Sequence, residues 1–86
     1  MGEPRPLDRE DVERKIREFI AARVGKSPEE IPLDVDFGDV GLASLDALDI
    51  LFAAEEEFGL TFDNEDARGV RSAGALIELT LRELAS

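Results

Sequence analysis

Hydroxyls and carboxylates are the groups through which this chain could do chemistry. It contains no cysteine and no histidine. That removes thiolate nucleophiles, Ser-His and Cys-His dyads, disulfides and the usual zinc ligand sets. Paired carboxylates can perform general acid–base work, but a chain of 86 residues offers little volume for a closed pocket. No catalytic residue and no metal ligand is therefore assigned. Asp34, Asp36 and Asp39 in a glycine-bearing loop invite an EF-hand reading, which the spacing rejects. Counted from Asp34, the sixth position is Asp39 where glycine is required, and the twelfth is Leu45 where glutamate is required. Weak divalent-cation binding would then only screen repulsion. Ser44 is the remaining candidate: its hydroxyl lies where a glycine-bearing loop meets the start of a helix. Its simplest role there is an N-cap.

The carboxylates are unevenly placed. The net charge is −11, from 21 acidic and 10 basic side chains. Residues 27–67 hold thirteen acidic side chains and no basic one, whereas the segments on either side each sum to +1. This sign opposes nucleic acid phosphate and anionic membrane surfaces. A single-sign block between balanced ends suits either a solvated face or a surface that meets a positive protein partner. No apolar run approaches the roughly 20 residues that span a bilayer. The start, MGEPRPLDRE, lacks the apolar stretch of a signal peptide. The expected location is the cytoplasm.

The elements that position these groups read as helices. Residues 1–7, with Pro4 and Pro6, form an expected flexible N-terminal arm. Asp8 is a candidate N-cap for a first helix over about residues 9–24. Val12, Ile16, Phe19, Ile20 and Val24 recur there at helical spacing, and Gly25 ends it. Ser27-Pro28-Glu29-Glu30 reads as a cap, a first-turn proline and a capping-box glutamate supporting one turn. Residues 33–43 form a connection too apolar to be loose, with Leu33, Val35, Phe37, Val40 and Leu42 packed on the helices. A second helix runs from about Ser44 to Phe58 and stops at Gly59. Asp63 can cap a short third helix over about 64–69. Ser72 can cap the last, whose Ala73, Leu76, Ile77, Leu81 and Leu84 make an apolar stripe. The fold class is all-α: a small four-helix bundle of three main helices plus a short third one.

The second helix has two faces. Ala47, Ile50, Leu51, Ala54 and Phe58 share a broad uncharged side, which is the expected core face. Leu45, Leu48 and Phe52 fall on another side, with Asp49, Glu55 and Glu56 on or beside that stripe and Asp46 on its flank. Either the loop or the short helix covers the stripe, or it is an apolar contact patch with an acidic rim for a partner surface that is basic at its edge. The second reading is adopted, with Leu45 the member expected to be partly buried.

The stretch DFGDVGLASLDALDILFAAEEEFGLTF resembles the signature region of acyl carrier proteins and the related peptidyl and aryl carrier domains. Gly41, Ser44 and Leu45 match the loop-to-helix pattern. Glu55-Glu56-Glu57-Phe58 matches the helix end, and the resemblance extends from the first helix to about Leu79. It implies an acyl-carrier-protein-like fold and a single carrier domain over residues 8–86. Ser44 would bear 4′-phosphopantetheine through a phosphodiester, with acyl cargo held on the terminal thiol as a thioester. The absence of cysteine is consistent with a sulfur supplied by the cofactor. A helix N-terminus favours the attached phosphate. By position, the family's recognition role falls on Leu45, Asp46, Leu48, Asp49, Phe52, Glu55 and Glu56. The implied partners are a phosphopantetheinyl transferase and acyl-transferring, synthase or acyl-activating enzymes with basic docking surfaces. The implied carrier is a monomer that is not itself an enzyme, serving fatty acid, polyketide or related biosynthesis. One departure is Ala43, where the family usually carries aspartate. Ser27 and Ser72 also carry hydroxyls, but neither sits in a matching context. An unmodified acidic adaptor, binding a basic partner through the second helix, is the alternative.

Overall fold

Asp8 opens the first helix, α1 (Arg9–Val24), by accepting a hydrogen bond from the Asp11 N–H at 3.0 Å on its own Oδ1. Glu10 and Asp11 then lie at the positive end of the helix dipole. Val12, Ile16 and Ile20, spaced by four, are fully buried. The computed structural model describes residues 8–85, so the expected arm at 1–7 lies outside the described residues.

The remaining helices are α2 (Ser44–Phe58), α3 (Asn64–Arg68) and α4 (Ala73–Leu84). In α4 the Ser72 hydroxyl accepts from the Ala75 N–H at 3.1 Å, as its capping role requires. The α1 stripe packs against α4 and α2, around Ile50, Ala54, Leu76 and Ile77. Thr80, wholly buried in α4, satisfies its hydroxyl by donating to the Leu76 carbonyl at 2.8 Å. At the surface Arg9 Nη2 meets Glu78 at 2.7 Å and so joins α1 to α4. Hydrogen bonding to Glu78, and then to Glu13, raises the Arg9 pKa above its ordinary value.

Between α1 and α2 the chain is packed, as its apolar content requires. Phe37, Val40 and Leu42 are buried, and so is Ile31, which stands alone before Pro32 with no periodicity to mark it. Two 3-10 turns, Pro28–Glu30 and Phe37–Val40, shape this connection. The expected Ser27 capping box does not form. The Glu30 N–H is taken by the Ser27 carbonyl at 2.9 Å, and the Ser27 side chain makes no capping bond. Asp63 likewise precedes α3 without a side-chain cap.

Backbone bonds moor the connection to the start of α4. The Phe37 N–H donates to the Arg71 carbonyl at 2.7 Å, and the Gly74 N–H donates to the Leu33 carbonyl at 2.9 Å. A Cβ at position 74 would sit 2.8 Å from that Leu33 oxygen, so the close approach requires glycine. Among the described residues there is no strand, only an isolated antiparallel bridge between Asp36 and Ser72. Among them also, no helix is long and apolar enough to cross a membrane.

Candidate functional site

Ser44 is the first residue of α2, and the N-cap position falls to Ala43, which has extended backbone and no side chain able to cap. Gly41 supplies the turn into the helix at φ 102°, a left-handed conformation that strains any other residue. Ser44 is exposed. Among the described residues its hydroxyl makes no hydrogen bond, so it is not spent on capping. Ser72 differs, because its hydroxyl is engaged at the head of α4.

A cleft of about 240 Å³ opens beside Ser44. Phe37, Leu42, Ala47 and Val70 give it apolar lining, while Asp36 and Arg71 contribute charge. The moored connection builds this cleft, since the bond from Phe37 to Arg71 brings the segment before α4 next to the start of α2. Arg71 was not legible as a site residue, because only this long-range pairing places it near Ser44. The free N–H groups of the first turn of α2 suit a phosphate on Ser44, and Arg71 lines the same cleft.

The stripe on α2 is open. Leu45, Leu48 and Phe52 are 75, 43 and 55% exposed, whereas Ile50, Leu51 and Ala54 on the other face are buried. Phe58, expected in the core, is half-buried at its edge. Leu45 corrects the expectation of partial burial. The connection before α2 bends toward α4 through Leu33 and Phe37 and does not cover that side of the first turn.

The acidic rim divides into three environments. Glu56 is exposed. Asp46 and Asp49 lie 3.4 and 3.1 Å from Arg23 Nη1 at the end of α1. Glu55 is half-buried and accepts the Phe62 N–H at 2.7 Å. Periodicity placed Asp49, Glu55 and Glu56 on or beside the stripe and Asp46 on its flank, but it could not show that Arg23 from another helix pairs with Asp46 and Asp49. Leu48 and Phe52 also border a groove between α2 and α3, lined in addition by Leu51, Phe62 and Ala67.

The chain matches the family model described as a phosphopantetheine attachment site over residues 14–80. Acyl carrier protein 2 of Pseudomonas aeruginosa is 34% identical over 70 residues, which are 80% of this chain and 89% of that protein. The acyl carrier protein of Saccharopolyspora erythraea is 30% identical over 76 residues, covering 87% of this chain and 80% of that one. Among solved structures, the acyl carrier protein of Thermotoga maritima superposes with a TM-score of 0.76 at 26% identity, over 90% of this chain and 91% of that chain. The HMG-ACPI domain from the CurA module of Lyngbya majuscula shares the fold, with a TM-score of 0.74 at 13% identity over 99% of this chain and 87% of that one. With the family model spanning most of the four-helix fold, the chain belongs to the acyl carrier protein family, whose cofactor is phosphopantetheine.

Proposed function

We propose that Ser44 is the attachment residue and that α2 is the surface partner enzymes read. The observation that carries this is the exposed, unbonded Ser44 hydroxyl at the first position of α2, beside a cleft that contains Arg71. When bound, 4′-phosphopantetheine supplies a thiol on a long arm, to which an acyl group is joined as a thioester. The chain's own part is to hold and present. Ser44 Oγ takes the phosphopantetheinyl group from coenzyme A, giving up its proton as the coenzyme's pyrophosphate bond breaks and 3′,5′-adenosine bisphosphate leaves, and the first-turn N–H groups offset the charge of the phosphodiester formed. Leu45, Leu48 and Phe52 give partners an apolar contact, and Asp46, Asp49, Glu55 and Glu56 attract their basic residues.

In this reading the protein is a non-catalytic, monomeric carrier, one domain over residues 8–86. It is a substrate of a phosphopantetheinyl transferase and a partner of synthase, acyl-transferring or acyl-activating enzymes in fatty acid, polyketide or related biosynthesis. A cytoplasmic location accords with the acidic, polar composition. Incubation with coenzyme A and a broad-specificity phosphopantetheinyl transferase should add one phosphopantetheinyl mass. Ser44→Ala should abolish the gain, and Ser27→Ala and Ser72→Ala should keep it. A wild-type chain that stays unmodified, or a Ser44→Ala chain that still gains the mass, overturns the assignment.

A further inference from the structure

The last turn of α1 reaches the acidic rim of α2. Arg23 Nη1 is 3.1 Å from Asp49 Oδ2 and 3.4 Å from Asp46 Oδ1. The block of residues 27–67 has no cation of its own, so Arg23 brings one onto that face from outside the block. Arg23 also borders a groove of about 630 Å³ shared with Asp49, Phe52, Glu55, Glu56 and Leu60. Carboxylates thus alternate with apolar side chains around a space wide enough for a long basic side chain, and a guanidinium already stands at one side of it.

We propose that Arg23 is an internal stand-in for the partner's cation. It occupies Asp46 and Asp49 in the free carrier, and a lysine or arginine of an incoming enzyme must displace it to settle in the groove. The inference rests on the docking role given to α2 above. Charge complementarity selects the occupant, since a groove bordered by Asp49, Glu55 and Glu56 favours a basic side chain over an acidic or purely apolar one. The pairing is open to displacement. The Arg23, Asp46 and Asp49 side chains are 44, 39 and 48% exposed, and ion pairs at such sites are weak and screened by salt. Arg23 therefore sets a threshold: partners with a well-placed basic residue overcome it, and weakly basic surfaces do not.

The test measures binding of the unmodified chain to a broad-specificity phosphopantetheinyl transferase without coenzyme A, so that no modification occurs. Arg23→Gln should bind about 2–5-fold more tightly at low salt, the range that one exposed ion pair corresponds to. The gain should come through faster association and fade as salt rises. Arg23→Lys, which keeps the charge, should stay near the wild type. Arg14→Gln makes the same change in net charge, but its residue pairs with Asp11 on its own helix, so it should give no gain. With Asp46→Asn and Asp49→Asn in place, Arg23→Gln should have no further effect. Unchanged or weaker binding of Arg23→Gln, or an equal gain in Arg14→Gln, overturns the proposal while leaving Ser44 attachment intact. A wild-type chain that does not bind the transferase at all overturns the docking role of α2, and this inference with it.

Discussion

The Phe62 N–H donates to a carboxylate oxygen of Glu55 at 2.7 Å, so a side chain on the rim of α2 fixes the link that leaves that helix. Phe62 is a buried core residue, and the bond holds its backbone while its ring packs inward. Glu55→Ala should therefore cost about 1–2 kcal/mol, because it leaves a half-buried donor unmatched. Glu56→Ala, at an exposed neighbour, should stay within about 0.5 kcal/mol. Chemical denaturation of the two variants separates them; equal midpoints would show that the Glu55 bond contributes nothing to stability.

The two faces of α2 should respond oppositely to truncation. Leu51→Ala and Ile50→Ala remove buried side chains and should cost about 2–5 kcal/mol. That is a large part of the total for a small domain. Leu48→Ala and Phe52→Ala act on exposed side chains and should change stability little while weakening partner binding. Thermal melts and transferase binding, measured on the same four variants, check both halves.

Ala43 leaves the N-cap position of α2 without a capping side chain, in extended backbone that aspartate accepts. Ala43→Asp should raise stability by about 0.5–2 kcal/mol, the usual worth of a cap. A melting temperature that does not rise would mean that the first-turn N–H groups are already satisfied.

Gly74→Ala should destabilise by about 1–3 kcal/mol, since the added methyl meets the Leu33 carbonyl oxygen at 2.8 Å and forces the connection off α4. Gly38 offers a contrast, with nothing within 4 Å of an added Cβ. Gly38→Ala should be far milder in the same denaturation experiment.

Added salt or magnesium should raise the melting temperature at pH 7. The thirteen carboxylates of residues 27–67 share one part of the chain, and like charge at that density opposes compaction. Arg23 on Asp46 and Asp49, Lys15 near Glu57 at 3.8 Å and Arg82 near Asp66 at 3.3 Å relieve part of this from outside the block. A melting temperature indifferent to both additives would show that these pairs suffice.

Most features carried by local spacing were legible in the sequence, although the Ser27 and Asp63 caps, read in the same way, do not form. The α1 stripe, the two faces of α2 and the Ser72 cap follow from repeats of three and four residues or from one side chain beside one turn. Ile31 was missed because a single apolar residue between a turn and Pro32 has no period. The turn at Phe37–Val40 is too short to show one. Arg71 beside Ser44 and Arg23 on the acidic rim arise from contacts between distant segments, which no local pattern encodes. Glu55 looked like its neighbours because its distinguishing partner is a backbone N–H seven residues away.

The brevity of α3 has a consequence for how the molecule opens. Five residues are too few to sustain a helix alone, and α3 has neither a side-chain cap nor a fully buried residue. Its amides should exchange with solvent hydrogen well before those of α1, α2 and α4, through an excursion that leaves the Ile16, Ile50 and Leu76 core closed. Such an excursion should widen the groove bordered by Leu51, Phe62 and Ala67, because Ala67 belongs to α3. Exchange of the Asn64–Arg68 amides no faster than those of α4 would show instead that α3 opens only with the whole fold, and that the apolar groove beside the stripe of α2 stays shut.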